Sequence, residues 1–199
     1  MLVAMLDVPR APADWPRVAA RCAPWVEVFI LRAKAEPAAW QTRLAAMLVE
    51  AVGGRPVLVA DRLDVALVTE VAGVHLPGDG LSPDQARRLW PTGVISRAVH
   101  SVEEVDSAAG ADWLVFGHLF PTRSKPGLAP RGLALAAEVA RRSPVPVVGI
   151  GGVDPGRVSA VCDAGLAGVA VADALWLAPD PARAARELAA PWVAHGGGT

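Results

Sequence analysis

Residues 111–133 read ADWLVFGHLFPTRSKPGLAPRGL. The run Trp113 to Phe116 has the length and residue type of a strand buried on both faces, as strands of parallel sheets are. Behind it come Gly117-His118, a turn-rich segment carrying Thr122, Ser124 and Lys125, then Pro126-Gly127, and finally Arg131-Gly132 at the entry to an alanine-rich helix. Ligands of parallel α/β proteins bind at the loops leaving the carboxyl ends of strands, so the polar groups here are candidates for chemistry.

The same alternation of apolar run and alanine-rich helical pattern extends to both ends of the 199-residue chain. It predicts strands over 2–6, 25–31, 56–60, 73–76, 93–97, 113–116, 145–150 and 168–172. Helices are predicted near 13–22, 37–52, 63–69, 83–90, 102–109, 133–142, 155–164 and 180–188. Pro37 and Pro83 suit first helical turns, and Ser101, Asp154 and Asp180 are expected N-caps, because they supply acceptors for orphan N–H groups. Eight strand–helix units favour closure over an open doubly wound sheet, so the expected fold is α/β, a (β/α)8 TIM barrel forming a single compact domain over 1–193. The chain is short for such a barrel, and function must therefore rest on a few tight loops. The Gly-rich end, 194–199, is expected to be a flexible tail.

A composition of 53% apolar and 20% charged residues excludes a disordered chain, and a formal net charge of −1 gives no reason to expect nucleic acid or a membrane surface as partner. The start, MLVAMLDVPR, is too short to span a membrane, has no basic region before it, and reads as a first strand. Cys22 and Cys162 are isolated, which fits a reducing cytoplasm and two small core residues, and does not fit metal binding by thiolates.

Among candidate site residues, Gly149-Ile150-Gly151-Gly152 follows the seventh strand and precedes a helix start at Asp154-Pro155. Glycines there let backbone N–H groups approach an anion, and the loops after strands seven and eight of many barrels bind phosphate in this way. The companion loop after strand eight reads Val171-Ala172-Asp173, where a carboxylate repels phosphate; Asp173 is expected to cap the last short helix or to point away. Arg32 and Lys34 alternate in an extended segment after strand two, so both could face an anion at the barrel mouth. Asp61 ends strand three, as a ligand contact or as a helix cap. His118 stands directly after a core strand in a polar loop, where an imidazole can take a proton and return it. His75, after strand four, reads as a supporting residue, and His100 and His195 make weaker claims.

The succession LRAK, ADRLDVAL, GVHL, FGHLFPTRSKPG and GIGGV, in that order and spacing, resembles the thiamine phosphate synthase/TenI superfamily. The resemblance covers nearly the whole chain and implies a (β/α)8 barrel. Within it, synthases place a pyrimidine-contacting glutamine where this chain has Ile30, and an Asn-Asp pair where it has Ala60-Asp61. Their second magnesium aspartate falls on Gly80, beside Asp79, a further glutamine on Gly78, and a serine that helps bind pyrophosphate on Ala98. Their proline in GPIFPTxTK is His118 here, and the GH pair is similar to that of TenI-type thiazole tautomerases.

That resemblance implies a cytoplasmic thiazole tautomerase of thiamine biosynthesis. It would isomerise a carboxylated exocyclic-alkene thiazole phosphate to the aromatic isomer, with His118 as acid/base and with no metal or redox cofactor. The phosphate would dock near Gly151, Gly152, Ala172 and Asp173, and Arg32, Lys34 or Lys125 would meet the carboxylate, with Thr122 in the same anion-binding loop. The alternative is thiamine phosphate synthase, a magnesium-dependent transferase joining a pyrimidine pyrophosphate to a thiazole phosphate, which Asp61, Lys34 and Lys125 support. A catalytically silent ligand-binding or regulatory protein is a third reading. A homodimer is expected, although seven tryptophans with no tyrosine are equally explained by core packing.

Overall fold

The computed structural model describes residues 1–195. Eight parallel strands close into a barrel in chain order: β1 (Leu2–Asp7), β2 (Val28–Arg32), β3 (Val57–Ala60), β4 (Gly73–Leu76), β5 (Val94–Val99), β6 (Trp113–Gly117), β7 (Val147–Ile150) and β8 (Gly168–Val171), with β8 pairing back to β1. The α-helices are α1 (Trp15–Cys22), α2 (Ala38–Val52), α3 (Leu63–Leu67), α4 (Pro83–Leu89), α5 (Gly132–Arg142), α6 (Val158–Asp163), α7 (Asp173–Trp176) and α8 (Pro181–His195). The expected (β/α)8 barrel is therefore observed.

Strand alternation separates two cores. Val3, Met5, Ile30, Leu58, Trp113, Val115, Val148 and Ala170 fill the barrel interior. The alternate residues, among them Leu2, Leu6, Phe29, Val74, Leu114 and Phe116, pack outward against the helices. Each fully buried Leu or Phe of this outer layer contributes about 1.5–3 kcal/mol. Trp15, Trp113 and Trp176 are buried, and Trp176 Nε1 donates to the Met5 carbonyl at 2.7 Å, which ties α7 to β1. Cys22 is buried, and desolvation pushes its thiol up to about 11, as a packed core thiol requires.

Several local expectations change. The segment expected as a helix over 102–109 is a 3-10 helix, Glu103–Ala108, whose two buried residues, Val105 and Ala108, lie three apart and suit its three-residue turn. Ser101 and Asp154 make no side-chain cap, whereas Asp180 does, accepting from the Arg183 N–H at 3.3 Å. Pro37 stands at the N-cap of α2, one residue before its first turn. A capping box at the start of α4 pairs the Ser82 hydroxyl with the Gln85 N–H at 3.2 Å and the Gln85 side chain with the Ser82 N–H at 2.9 Å. Helix α7 has no counterpart among the helix ranges read from the sequence, which point to a short helix there only through the cap expected at Asp173. Residues 194 and 195, expected in the tail, belong to α8; 196–199 lie outside the described residues.

Candidate functional site

A cavity of about 1020 Å3 opens at the carboxyl ends of the strands. Its floor is Met5, Val115 and Ala170 from the barrel core. The next inward position on each of six strands is Asp7, Arg32, His75, Ala98, Ile150 or Ala172, and all six line the cavity. The period-two alternation that builds the core thus also fixes which polar groups face a ligand.

On one wall the loop after β7 turns through Gly151 and Gly152, at φ of 99° and 68°. Both conformations favour glycine, and close approach requires it as well: a Cβ on Gly151 would stand 2.4 Å from His118 Cβ, and one on Gly152 2.4 Å from the Pro121 carbonyl oxygen. Arg157 braces this turn, donating to the Gly152 carbonyl at 2.7 Å while lying 5.1 Å from the Phe120 ring centroid. Beside it, and joined to it by the Phe120 N–H donating to the Gly151 carbonyl at 3.0 Å, the loop after β6 contributes Thr122, Arg123, Ser124 and Lys125 to the lining. The Thr122 and Ser124 hydroxyls are 3.1 Å apart, and Arg123 and Lys125 make no side-chain ion pair with the described residues.

Other charges at the mouth are paired. Arg32 meets Asp7 at 2.5 Å, and Arg10 meets Asp173 at 2.5 Å. Asp173 begins α7 without capping it, and its pairing to Arg10 offsets the repulsion a phosphate would feel there. Lys34 and Asp61 stand beside the cavity, with Nζ and Oδ2 3.8 Å apart; Asp61 does not cap α3, and it holds a positive φ of 70° while its N–H donates to the His75 carbonyl at 2.8 Å. His75 is buried, its Nδ1 2.9 Å from the Ser96 hydroxyl. Desolvation, and then the charges of Lys34, Arg32 and Arg97, push its imidazole down to about 4, so it is neutral at neutral pH.

His118 does not line the cavity. It follows the inward position Gly117 and is buried behind the β7 glycine turn, with Nε2 3.3 Å from the Leu128 carbonyl and Nδ1 without a hydrogen-bond partner among the described residues. The histidines that do line it are His75 and His100, the latter donating from Nδ1 to the Gly117 carbonyl at 2.9 Å. Of the other expected residues, Arg32, Thr122, Lys125, Gly151, Gly152, Ala172 and Asp173 come together around one cavity, while Lys34 and Asp61 lie outside its lining, Asp61 bonded to the backbone of the lining residue His75. Sequence reasoning missed Asp7, Arg10, Arg123 and Arg157. Asp7 had a signal, since it continues the Val3, Met5 alternation by one step; Arg10 and Arg157 come from turns that carry none.

The two positions at which the resemblance implies magnesium carboxylates are Asp61 and Gly80. They are neighbours: a Cβ on Gly80 would lie 3.3 Å from Asp61 Oδ1. Gly80 brings no oxygen to the site, the Lys34 ammonium stands 3.8 Å from one oxygen of the remaining carboxylate, and among the described residues no three His, Cys, Asp or Glu groups gather to hold a metal. This donor set does not fit a magnesium site built on two protein carboxylates.

A family profile described as thiamine monophosphate synthase matches residues 10–175. A thiamine-phosphate synthase of Anaeromyxobacter dehalogenans is 44% identical over 152 residues, 74% of this chain and 68% of that one. One from Roseiflexus castenholzii is 42% identical over 139 residues, 68% of this chain and 61% of its own length. The structure of a thiamine phosphate pyrophosphorylase from Pyrococcus furiosus superposes with a TM-score of 0.86 at 27% identity, covering 97% of this chain and 95% of that one. These relatives overturn the expected thiazole tautomerase: they are synthases, the activity held as the alternative. Among the described residues no helix is long and apolar enough to cross a membrane. The chain belongs to the thiamine monophosphate synthase family of enzymes, TMP-TENI.

Proposed function

We propose that the protein is a transferase that joins a pyrimidine, presented as its pyrophosphate ester, to a thiazole phosphate, releasing pyrophosphate and forming thiamine phosphate. The observation that carries this reading is that one cavity is lined both by the glycine turn after β7 and, beside it, by the hydroxyls and cations of the loop after β6. A phosphate and a pyrophosphate ester bound side by side call for such a lining. The similarity to thiamine-phosphate synthases supports the same choice.

The thiazole phosphate would sit on the amides of the Gly151-Gly152 turn and of Ala172 and Asp173 at the start of α7, as phosphates do after strands seven and eight of such barrels. The pyrophosphate ester would face Thr122, Arg123, Ser124 and Lys125, whose hydroxyls and cations meet the charge that grows on the leaving oxygen. As the ring nitrogen's lone pair forms the new C–N bond, the bond from the pyrimidine methylene to pyrophosphate oxygen breaks with its electrons. No proton is transferred and nothing is oxidised. The protein's contribution is to align the two reactants and to stabilise the departing anion. This reading carries with it the cytoplasmic location and the homodimer expected from the sequence.

The test is incubation of purified protein with both substrates, followed by mass spectrometry of the product. Thiamine phosphate well above the protein-free rate is expected, and its loss with Lys125→Ala. Product no faster than the protein-free rate ends this reading.

A further inference from the structure

The missing carboxylate at position 80 changes how the pyrophosphate group must be held. Its Cβ position faces Asp61 Oδ1 at 3.3 Å, so the backbone still brings the two positions together while the side chain that would complete a cation site is gone. The Lys34 ammonium stands 3.8 Å from the Asp61 carboxylate and competes with any divalent cation for that oxygen. A doubly charged ion placed beside this ammonium would also be repelled by it. Ala98, on the cavity wall, offers no hydroxyl to an anion.

Positive charge is nevertheless plentiful. Arg123 and Lys125 line the cavity and are not ion-paired with the described residues, in contrast to Arg10 and Arg32, which are neutralised by Asp173 and Asp7. The charges of Lys34 and Arg32 reach the cavity wall, where they help keep His75 unprotonated. A cation already carried by the protein needs no recruitment from solution and can make direct N–H···O bonds to phosphate oxygens.

Resting on the transferase reading, we infer that this barrel holds the pyrophosphate group with the protein's own cations, Arg123, Lys125 and Lys34, and without a divalent metal ion. Lys34 stands where the ion would bind, and Arg123 and Lys125 take up the charge the ion would have neutralised.

Calorimetric titration with inorganic pyrophosphate, in excess EDTA and again in magnesium, tests this without relying on turnover. Equal affinity within about twofold in the two buffers is expected, with a loss of about tenfold or more for Lys125→Ala in EDTA. Lys125 lies on a surface loop, and circular dichroism of the variant checks that the barrel is intact. Binding that appears only with magnesium overturns the inference, as does binding in neither buffer or affinity unchanged by Lys125→Ala. Product formation from the two substrates, followed in the same buffers, separates the two claims. Equal rates support both. Product only with magnesium overturns the metal-free site and leaves the transferase standing. Pyrophosphate binding in EDTA with product in neither buffer supports the site and overturns the transferase.

Discussion

Lowering the pH from 7 to 4 will destabilise this protein through one buried imidazole, His75. Its side chain is 8% exposed at the barrel mouth, held to Ser96, and its folded value is pushed down to about 4 by burial first and by the nearby cations next. An unfolded chain holds the same histidine near its ordinary value of about 6.5. Between those two values the unfolded state binds more protons than the folded one, so stability rises with pH there and falls as the solution is acidified through the window. The stabilisation is fully present above about pH 6.5. A shift of this size corresponds to about 3 kcal/mol, of which roughly 2–3 kcal/mol is lost by pH 4.5, with little further change once the pH is below about 4. Carboxylates also titrate near the acid end, so the measurement is a difference. Urea unfolding, followed by tryptophan fluorescence at several pH values, is compared between wild type and His75→Asn. The wild type should lose about 2–3 kcal/mol more than the variant between pH 7 and 4.5. Parallel curves, within about 1 kcal/mol, would refute the reasoning and place His75 in a wetter environment than its burial indicates.

Three further outcomes follow from single features. Gly151→Ala combines a φ of 99° with a Cβ 2.4 Å from His118 Cβ and should cost about 2–4 kcal/mol in urea unfolding; Gly127→Ala, at φ 74° with nothing within 4 Å, should cost about 1 kcal/mol, and equal costs would remove close approach as the reason for the glycine. Ser82→Ala removes half of the α4 capping box and should lower stability by about 1 kcal/mol with an unchanged denaturant slope, whereas a loss under about 0.3 kcal/mol would mean the cap is frayed in solution. Asp173→Asn releases Arg10 and removes a carboxylate beside the β7–β8 loops, so inorganic phosphate should bind about two- to fivefold more tightly at low salt, with the gain shrinking at high salt; weaker binding would show that the Arg10–Asp173 pair itself shapes the site.

Much of the barrel is legible along the chain because each strand is buried on both faces. Such strands read as apolar runs at 113–116 and 73–76, and these two nearly or fully match β6 and β4. The same periodicity, carried one step past Met5 and Ile30, reaches Asp7 and Arg32, so part of the cavity lining is implicit in the pattern. The second strand was placed too early, at 25–31, because Trp25 and Val26 are as apolar as strand residues; Val26 is buried without belonging to β2. Helix expectation failed over 102–109, where a burial spacing of three satisfies a 3-10 turn as well as an α-helix.

The sequence by itself determined the eightfold repeat of strand and helix and the glycine turn after β7, because burial and tight turns depend on residue type and short-range spacing. It also placed His118 next to the most polar loop. Only the tertiary structure decided which neighbours of a strand end face the cavity. Gly117 holds the inward position, His118 lies behind the wall, and His75 and His100, which made the weaker claims, line the cavity. The pairing of Lys34 with Asp61 opposite Gly80, like that of Arg10 with Asp173, joins residues from separate strands and loops. Such charge balance is a property of distances between segments far apart in the chain, and it exists only once the barrel has closed.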